Sequence, residues 1–177
     1  EYCKATGSHC DVVDPAPQPS LFQKLYLHRE HHTYYPLKSV DAIPNLNCPH
    51  IALIDGDHNW STVYAELNLL HDLAVSQSAP FPIIMFHDVG WPYARRDMYY
   101  NPDAIRPEDR HPYAYKGIAP GISPLVDGGL NANLANATHE GGPRNGVLTA
   151  IEDFSNAKED IFYLWSVPFF NGFGLLI

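Results

Sequence analysis

The sequence is short of cysteine, of positive charge and of long apolar runs. Cys3, Cys10 and Cys48 are its three cysteines, scattered and in no CxxC spacing. A disulfide framework wants an even number and a zinc site wants clustered pairs, so all three read as reduced thiols. Lysine and arginine number 11 against 20 acidic residues, a net charge of −9. Without a basic stripe, a nucleic-acid backbone is excluded as the main partner. No apolar run approaches the ~20 residues needed to cross a bilayer, and no basic-then-apolar leader is present. The expectation is a soluble cytoplasmic protein with no membrane partner. Asn136-Ala137-Thr138 matches a glycosylation sequon, a pattern too common by chance to carry weight.

What is present suits one domain with a real core: 177 residues, 45% of them hydrophobic. Glu1 to Thr6 reads as the last turns of a helix, ended by Gly7. A short strand follows at Cys10 to Asp14, stopped by Pro15, Pro17 and Pro19. Leu21, Phe22, Leu25 and Tyr26 have helical spacing, which predicts a helix over Leu21 to His31. A short strand is expected around Thr33 to Leu37. Ile51-Ala52-Leu53-Ile54-Asp55 is a continuous apolar run, the pattern of a strand buried on both faces. Ser61 or Thr62 is placed to cap the next helix, whose Val63, Leu67, Leu70 and Ala74 share one face. That helix ends before Pro80, and Ile83 to Phe86 forms a second apolar strand. A βαβ crossover of this size makes the two strands parallel.

From Val89 to Arg144 periodicity fails, and proline, glycine and tyrosine concentrate. A segment of that length inside a compact domain predicts a lid or binding loop. Asn145 is expected to cap a helix with Val147, Leu148, Ile151 and Phe154 on its inner side. Ile161 to Val167 and Phe169 to Ile177, joined at Pro168, read as antiparallel neighbours. The predicted fold class is therefore α/β: a mostly parallel Rossmann-like sheet with helices on both faces and a C-terminal antiparallel hairpin. It forms one domain over 1–177, with 89–144 as lid or insertion.

In open parallel sheets, ligands bind outside the carboxyl ends of the strands. Asp14, Asp55 and the pair His87-Asp88 all fall there. Parallel neighbours lie about 4.8 Å apart, so groups just past two strand ends can converge on one ion. Carboxylates with imidazole suit Mg²⁺, Mn²⁺ or Fe²⁺. Several carboxylates together repel one another unless something positive joins them. Taken singly, each residue has an ordinary structural role: Asp55 capping a loop, Asp57 facing water, the histidines hydrogen-bonded. Asp14 fits either a ribose-binding acid or the start of a turn. His28, His31 and His32 read as a solvated helix face. Tyr93, Arg95, Arg96, Tyr99 and Tyr100 suit recognition of a sugar, phenol or carboxylate, and suit a packed loop equally. The stretch 140–146 is either a pocket wall or flexible punctuation.

Ile51-Ala52-Leu53-Ile54-Asp55-Gly56-Asp57-His58-Asn59-Trp60, followed after the helix by Ile84-Met85-Phe86-His87-Asp88-Val89, resembles the class I S-adenosylmethionine-dependent methyltransferases. More narrowly it resembles the bacterial small-molecule O-methyltransferases with an Asp-Gly-Asp-His motif. Val12-Val13-Asp14-Pro15, Ser39 to Pro44 and the closing hairpin are similar to other segments of that family. The resemblance implies a divalent metal such as Mg²⁺ on Asp55, His87 and Asp88. It implies His58 as general base, and S-adenosylmethionine held by Asp14 and Asp57. It implies a small-molecule hydroxyl acceptor, and the aromatic lid suggests by analogy a sugar or polyketide-like one. The family's glycine-rich turn after a first strand has no counterpart before Gly7, so the domain is expected to be truncated at its N-terminus. A metal-dependent hydrolase stays open, as does a non-catalytic remnant that pairs as a homo-oligomer through an unpaired sheet edge.

Overall fold

The computed structural model describes residues 2–177, and the chain divides into two compact units, Glu1–Leu46 and Asn47–Ile177. The first unit opens on helix α1 (Tyr2–Thr6), which Gly7 ends at a φ of 68°. Strand β1 (Cys10–Val13), helix α2 (Pro19–Leu27) and strand β2 (His32–Tyr35) then form a small crossover, with the two strands parallel and Val13 opposite Tyr35. Helix α2 starts earlier and stops sooner than its spacing predicts. Pro19 supplies a favourable first-turn φ. His28 leaves the helical region at φ −118°, and His32 is drawn into β2 by its pairing with Cys10. The three histidines therefore do not share a helix face. Helix α3 (Ser39–Ala42) and a single 3₁₀ turn over Ile43–Asn45 complete the unit.

The second unit begins with β3 (Ile51–Ile54), helix α4 (Trp60–Ser76) and β4 (Ile83–His87). The two strands are parallel, with Ile54 opposite Phe86, as the crossover requires. The cap of α4 is Asn59 and neither Ser61 nor Thr62: its Oδ1 accepts the Thr62 N–H at 2.9 Å. Asparagine in an extended conformation before the first turn satisfies an otherwise orphaned donor. Strand β3 is not buried on both faces. It is the edge of its sheet, so Ile54 is buried while Ile51 and Leu53 are exposed.

The region 89–144 is ordered and built of short strands. These are β5 (Met98–Tyr99), β6 (Tyr113–Tyr115), β7 (Gly117–Ala119), β8 (Ile122–Val126) and β9 (Ala135–Ala137). Strand β9 lies between β5 and β6 in one sheet, and β7 pairs with β8 in another. Tyr93, Met98 and Ile118 are buried together, with Leu125 and Leu134 against them. Helix α5 (Val147–Ala157) follows, and its Ile151 and Phe154 are buried. Asn145 does not cap it. Its side chain instead accepts the Asp97 N–H and donates to the carbonyls of His139 and Gly141.

Strands β10 (Leu164–Val167) and β11 (Phe173–Leu176) are antiparallel, as expected, and β11 inserts beside β4. The four-stranded sheet thus runs β10-β11-β4-β3 and is mixed, with one parallel and two antiparallel pairings. Ile54, Ile84, Phe86 and Leu176 join Val63, Leu67 and Leu70 of α4 in the buried core. The fold is mixed α/β with several small sheets, and among the described residues β1 and β2 pair only with each other. No described helix is long and apolar enough to cross a membrane.

Candidate metal centre

The carboxyl ends of β3 and β4 bring three predicted residues together. Asp55 follows β3, His87 ends β4 and Asp88 comes next, and one ligand atom from each lies within 4.8 Å of the others. His87 Nδ1 is 2.9 Å from Asp88 Oδ2 and 3.3 Å from Asp55 Oδ1. Asp88 is 3% exposed, while Asp55 faces solvent. The Asp88 backbone has a φ of 60°, a left-handed conformation that turns the chain sharply off the strand.

The turn between β10 and β11 supports His87 from the other side. The Phe170 backbone beside the ring favours its charged form. Nδ1 faces the carboxylates and donates to Asp88 Oδ2, so an ion held here would take the place of that proton. Phe170, Asn171 and Gly172 have φ values of 45°, 66° and 88°, and the Gly90 N–H donates to the Asn171 carbonyl at 2.7 Å. Nothing in the amino-acid pattern pointed to Phe170, because its contribution is a backbone carbonyl placed by turn dihedrals.

Electrostatics follow from this packing. Burial works against a charged His87, yet the hydrogen bond to Asp88 and the charges of Asp88 and Asp55 outweigh it and lift its pKa above the ordinary value. Burial likewise opposes ionised Asp88, but His58 and His87 hydrogen-bond to it and hold its pKa below the usual carboxylate value. Burial first, then the charges of Asp57, Asp88 and Asp55, push the Tyr100 phenol up.

His58 stands beside the cluster. Its Nε2 is 2.7 Å from the same Asp88 oxygen that His87 contacts. Its ring lies 5.3 Å from that of Tyr93 and 5.9 Å from that of Tyr100. Its backbone is pinned on both sides, by the Met98 N–H to its carbonyl and by its own N–H to Asp57 Oδ1. Asp57 is engaged locally, since Oδ2 accepts from the Thr62 hydroxyl at 2.9 Å.

Asp14 lies in the first unit, past the end of β1. Its Oδ1 accepts the Ala16 N–H, its carbonyl accepts from the Tyr34 hydroxyl, and it borders a cavity of about 320 Å³ with Gln18, Ser20, Leu21 and Lys24. Arg95, Arg96 and Tyr99 serve the protein's own packing. Arg95 forms a two-pronged pair with Glu152, Arg96 donates to the carbonyls of Ala137 and Ser123, and the Tyr99 hydroxyl donates to Asp97. Tyr100, 61% exposed, is the member of that group left at the rim of the centre. Comparison with protein-family models, with curated proteins and with solved structures finds no match to this chain.

Proposed function

We propose that the protein is an S-adenosylmethionine-dependent, metal-assisted O-methyltransferase acting on a small-molecule hydroxyl in the cytoplasm. The observation that carries this reading is the convergence of Asp55, His87 and Asp88 at the ends of two parallel strands. Two carboxylates and an imidazole fit a hard or borderline divalent ion such as Mg²⁺ or Mn²⁺. The Asp-Gly-Asp-His resemblance supplies the reaction class. On this reading the four-stranded sheet belongs to a Rossmann-like sheet with helices on both faces.

Asp55, His87 and Asp88 would hold the ion. Asp14 and Asp57 are the residues that the resemblance assigns to the cofactor, as acceptors of its hydrogen bonds. When bound, the cofactor supplies an electrophilic methyl group and the ion lowers the acceptor hydroxyl's pKa and orients its oxygen. The segment 89–144 flanks the centre with Tyr93 and Tyr100, whose rings lie 5.3 and 5.9 Å from that of His58. The resemblance gives His58 the acceptor's proton. Alignment and deprotonation would carry the rate.

The test is calorimetric titration of S-adenosylhomocysteine, first with Mn²⁺ present and then with a chelator. Saturable binding that weakens on chelation is the expected result. Absence of binding with Mn²⁺ still taken up would overturn cofactor binding by this chain and leave a metal-dependent hydrolase or a non-catalytic remnant of the fold.

A further inference from the structure

We propose that His58 is a positioning residue that holds the ligand carboxylate of Asp88, and is not the group that takes the acceptor's proton. The proposal rests on the metal reading above and reassigns one residue within it.

Three observations carry it. The first is which ring nitrogen is engaged. Nε2 lies 2.7 Å from Asp88 Oδ2, and a carboxylate can only accept, so Nε2 is the donor. A nitrogen that carries a proton and gives it to Asp88 is not available as a base. The second is the state of the other nitrogen. Nδ1 is buried and, among the described residues, has no hydrogen-bond partner. Turning it out to a substrate would break the ring's contacts with Tyr93 and Tyr100, while the backbone is bonded to Met98 and Asp57. The third is distance. His58 is not among the groups whose ligand atoms come within 4.8 Å of one another, so its link to the centre passes through Asp88.

The need for such a partner is visible at Asp88 itself. Its φ of 60° is a left-handed turn conformation that aspartate tolerates, and it carries the chain off the strand end. The backbone turn does not fix the side-chain torsions, so the aim of the carboxylate depends on what it bonds. His58 from one side and His87 from the other hold the same oxygen, at 2.7 and 2.9 Å. Outer partners of this kind typically change metal affinity by 10–100-fold when removed.

The experiment compares Mn²⁺ uptake by the full chain, His58→Ala and His58→Gln, read by electron paramagnetic resonance of the free ion. Near-ultraviolet circular dichroism checks the fold of each. Glutamine presents an amide N–H near the place of the imidazole Nε2 and has no basic nitrogen. The expected result is an affinity loss of about 10–100-fold in His58→Ala, largely restored in His58→Gln. Unchanged affinity in His58→Ala overturns the proposal and returns His58 to proton transfer. So does a glutamine variant as weak as alanine, which would make the imidazole itself a ligand. Failure of the unaltered chain to take up Mn²⁺ overturns instead the metal reading on which both stand.

Discussion

Asp97 Oδ1 lies 2.7 Å from the backbone N–H of Trp60, the first residue of helix α4. The same oxygen accepts the Gly146 N–H at 2.7 Å, just before α5, and Oδ2 accepts from the Tyr99 hydroxyl at 2.8 Å. One buried side chain therefore satisfies donors at the starts of two helices. Replacing Asp97 with alanine leaves three donors without their acceptor, at about 1–3 kcal/mol for each buried one. The expected loss is at least about 3 kcal/mol, measured by urea unfolding. Asp97→Asn keeps one acceptor oxygen and should cost less than half as much. A loss below about 1 kcal/mol in Asp97→Ala would show that water replaces the carboxylate.

Arg95 and Arg96 are neighbours with opposite expected weight. Arg95 pairs with Glu152 by two short bonds, but its side chain is 39% exposed, and such pairs contribute about 0–1 kcal/mol. Arg96 is 1% exposed and donates to two backbone carbonyls. Arg96→Ala should destabilise by about 3 kcal/mol or more, because it strands both acceptors and empties the space around them. Arg95→Ala should fall below about 1 kcal/mol. Equal effects in parallel unfolding curves would contradict this ordering.

The centre should leave a signature in stability against pH when ions are chelated. His87 has a raised pKa in the fold, so its contribution is full below the ordinary histidine value of 6.5 and is lost as pH rises through the raised one. Asp88 has a lowered pKa, so its contribution is full above the ordinary 3.8 and is lost as pH falls through the lowered one. The two together stabilise most between about 3.8 and 6.5. Asp88→Asn should flatten both limbs of the denaturation midpoint plotted against pH. A variant curve parallel to that of the unaltered chain would mean that other groups set the profile.

Gly172 is a position where a methyl group has no room. At φ 88°, an added Cβ would stand 2.2 Å from the Gly90 nitrogen. Gly172→Ala should therefore cost roughly 2 kcal/mol in thermal or denaturant unfolding. It should also weaken Mn²⁺ binding, since the turn that strains is the one offering Phe170 to His87. Unaltered Mn²⁺ affinity in a destabilised variant would separate the turn from the centre.

The part of this fold legible in the amino-acid pattern is the part built on apolar periodicity. The run Ile51 to Ile54, the stripe Val63-Leu67-Leu70 and the run Ile83 to Phe86 each announce one element and its buried side. Their ends then place Asp55, His87 and Asp88 together, so the metal candidates followed from topology. The segment after Val89 was opaque for a physical reason. Its strands are two to five residues long and are fixed by the side chains of Arg96, Asp97 and Asn136 bonding to distant backbone, which leaves no local period. The exposed faces of Ile51 and Leu53 escaped notice because an apolar run does not say whether its strand lies at an edge. The helix caps were misjudged by a few residues because Asn59 and Asp97 competed for roles given to Ser61, Thr62 and Asn145.

The lacing of that segment through Asp97 bears on how the molecule can move. A flap hinged at two points opens without disturbing what it covers. Here the ladder starting at Met98 is stitched to His58, and Asp97 knots the starts of both helices. Lifting the segment would unthread the core beneath it, so the wall and the scaffold melt as one cooperative unit. The exposed side of the centre, at Asp55 and Tyr100, is then where motion is confined to single side chains, on the timescale of rotamers and not of domains.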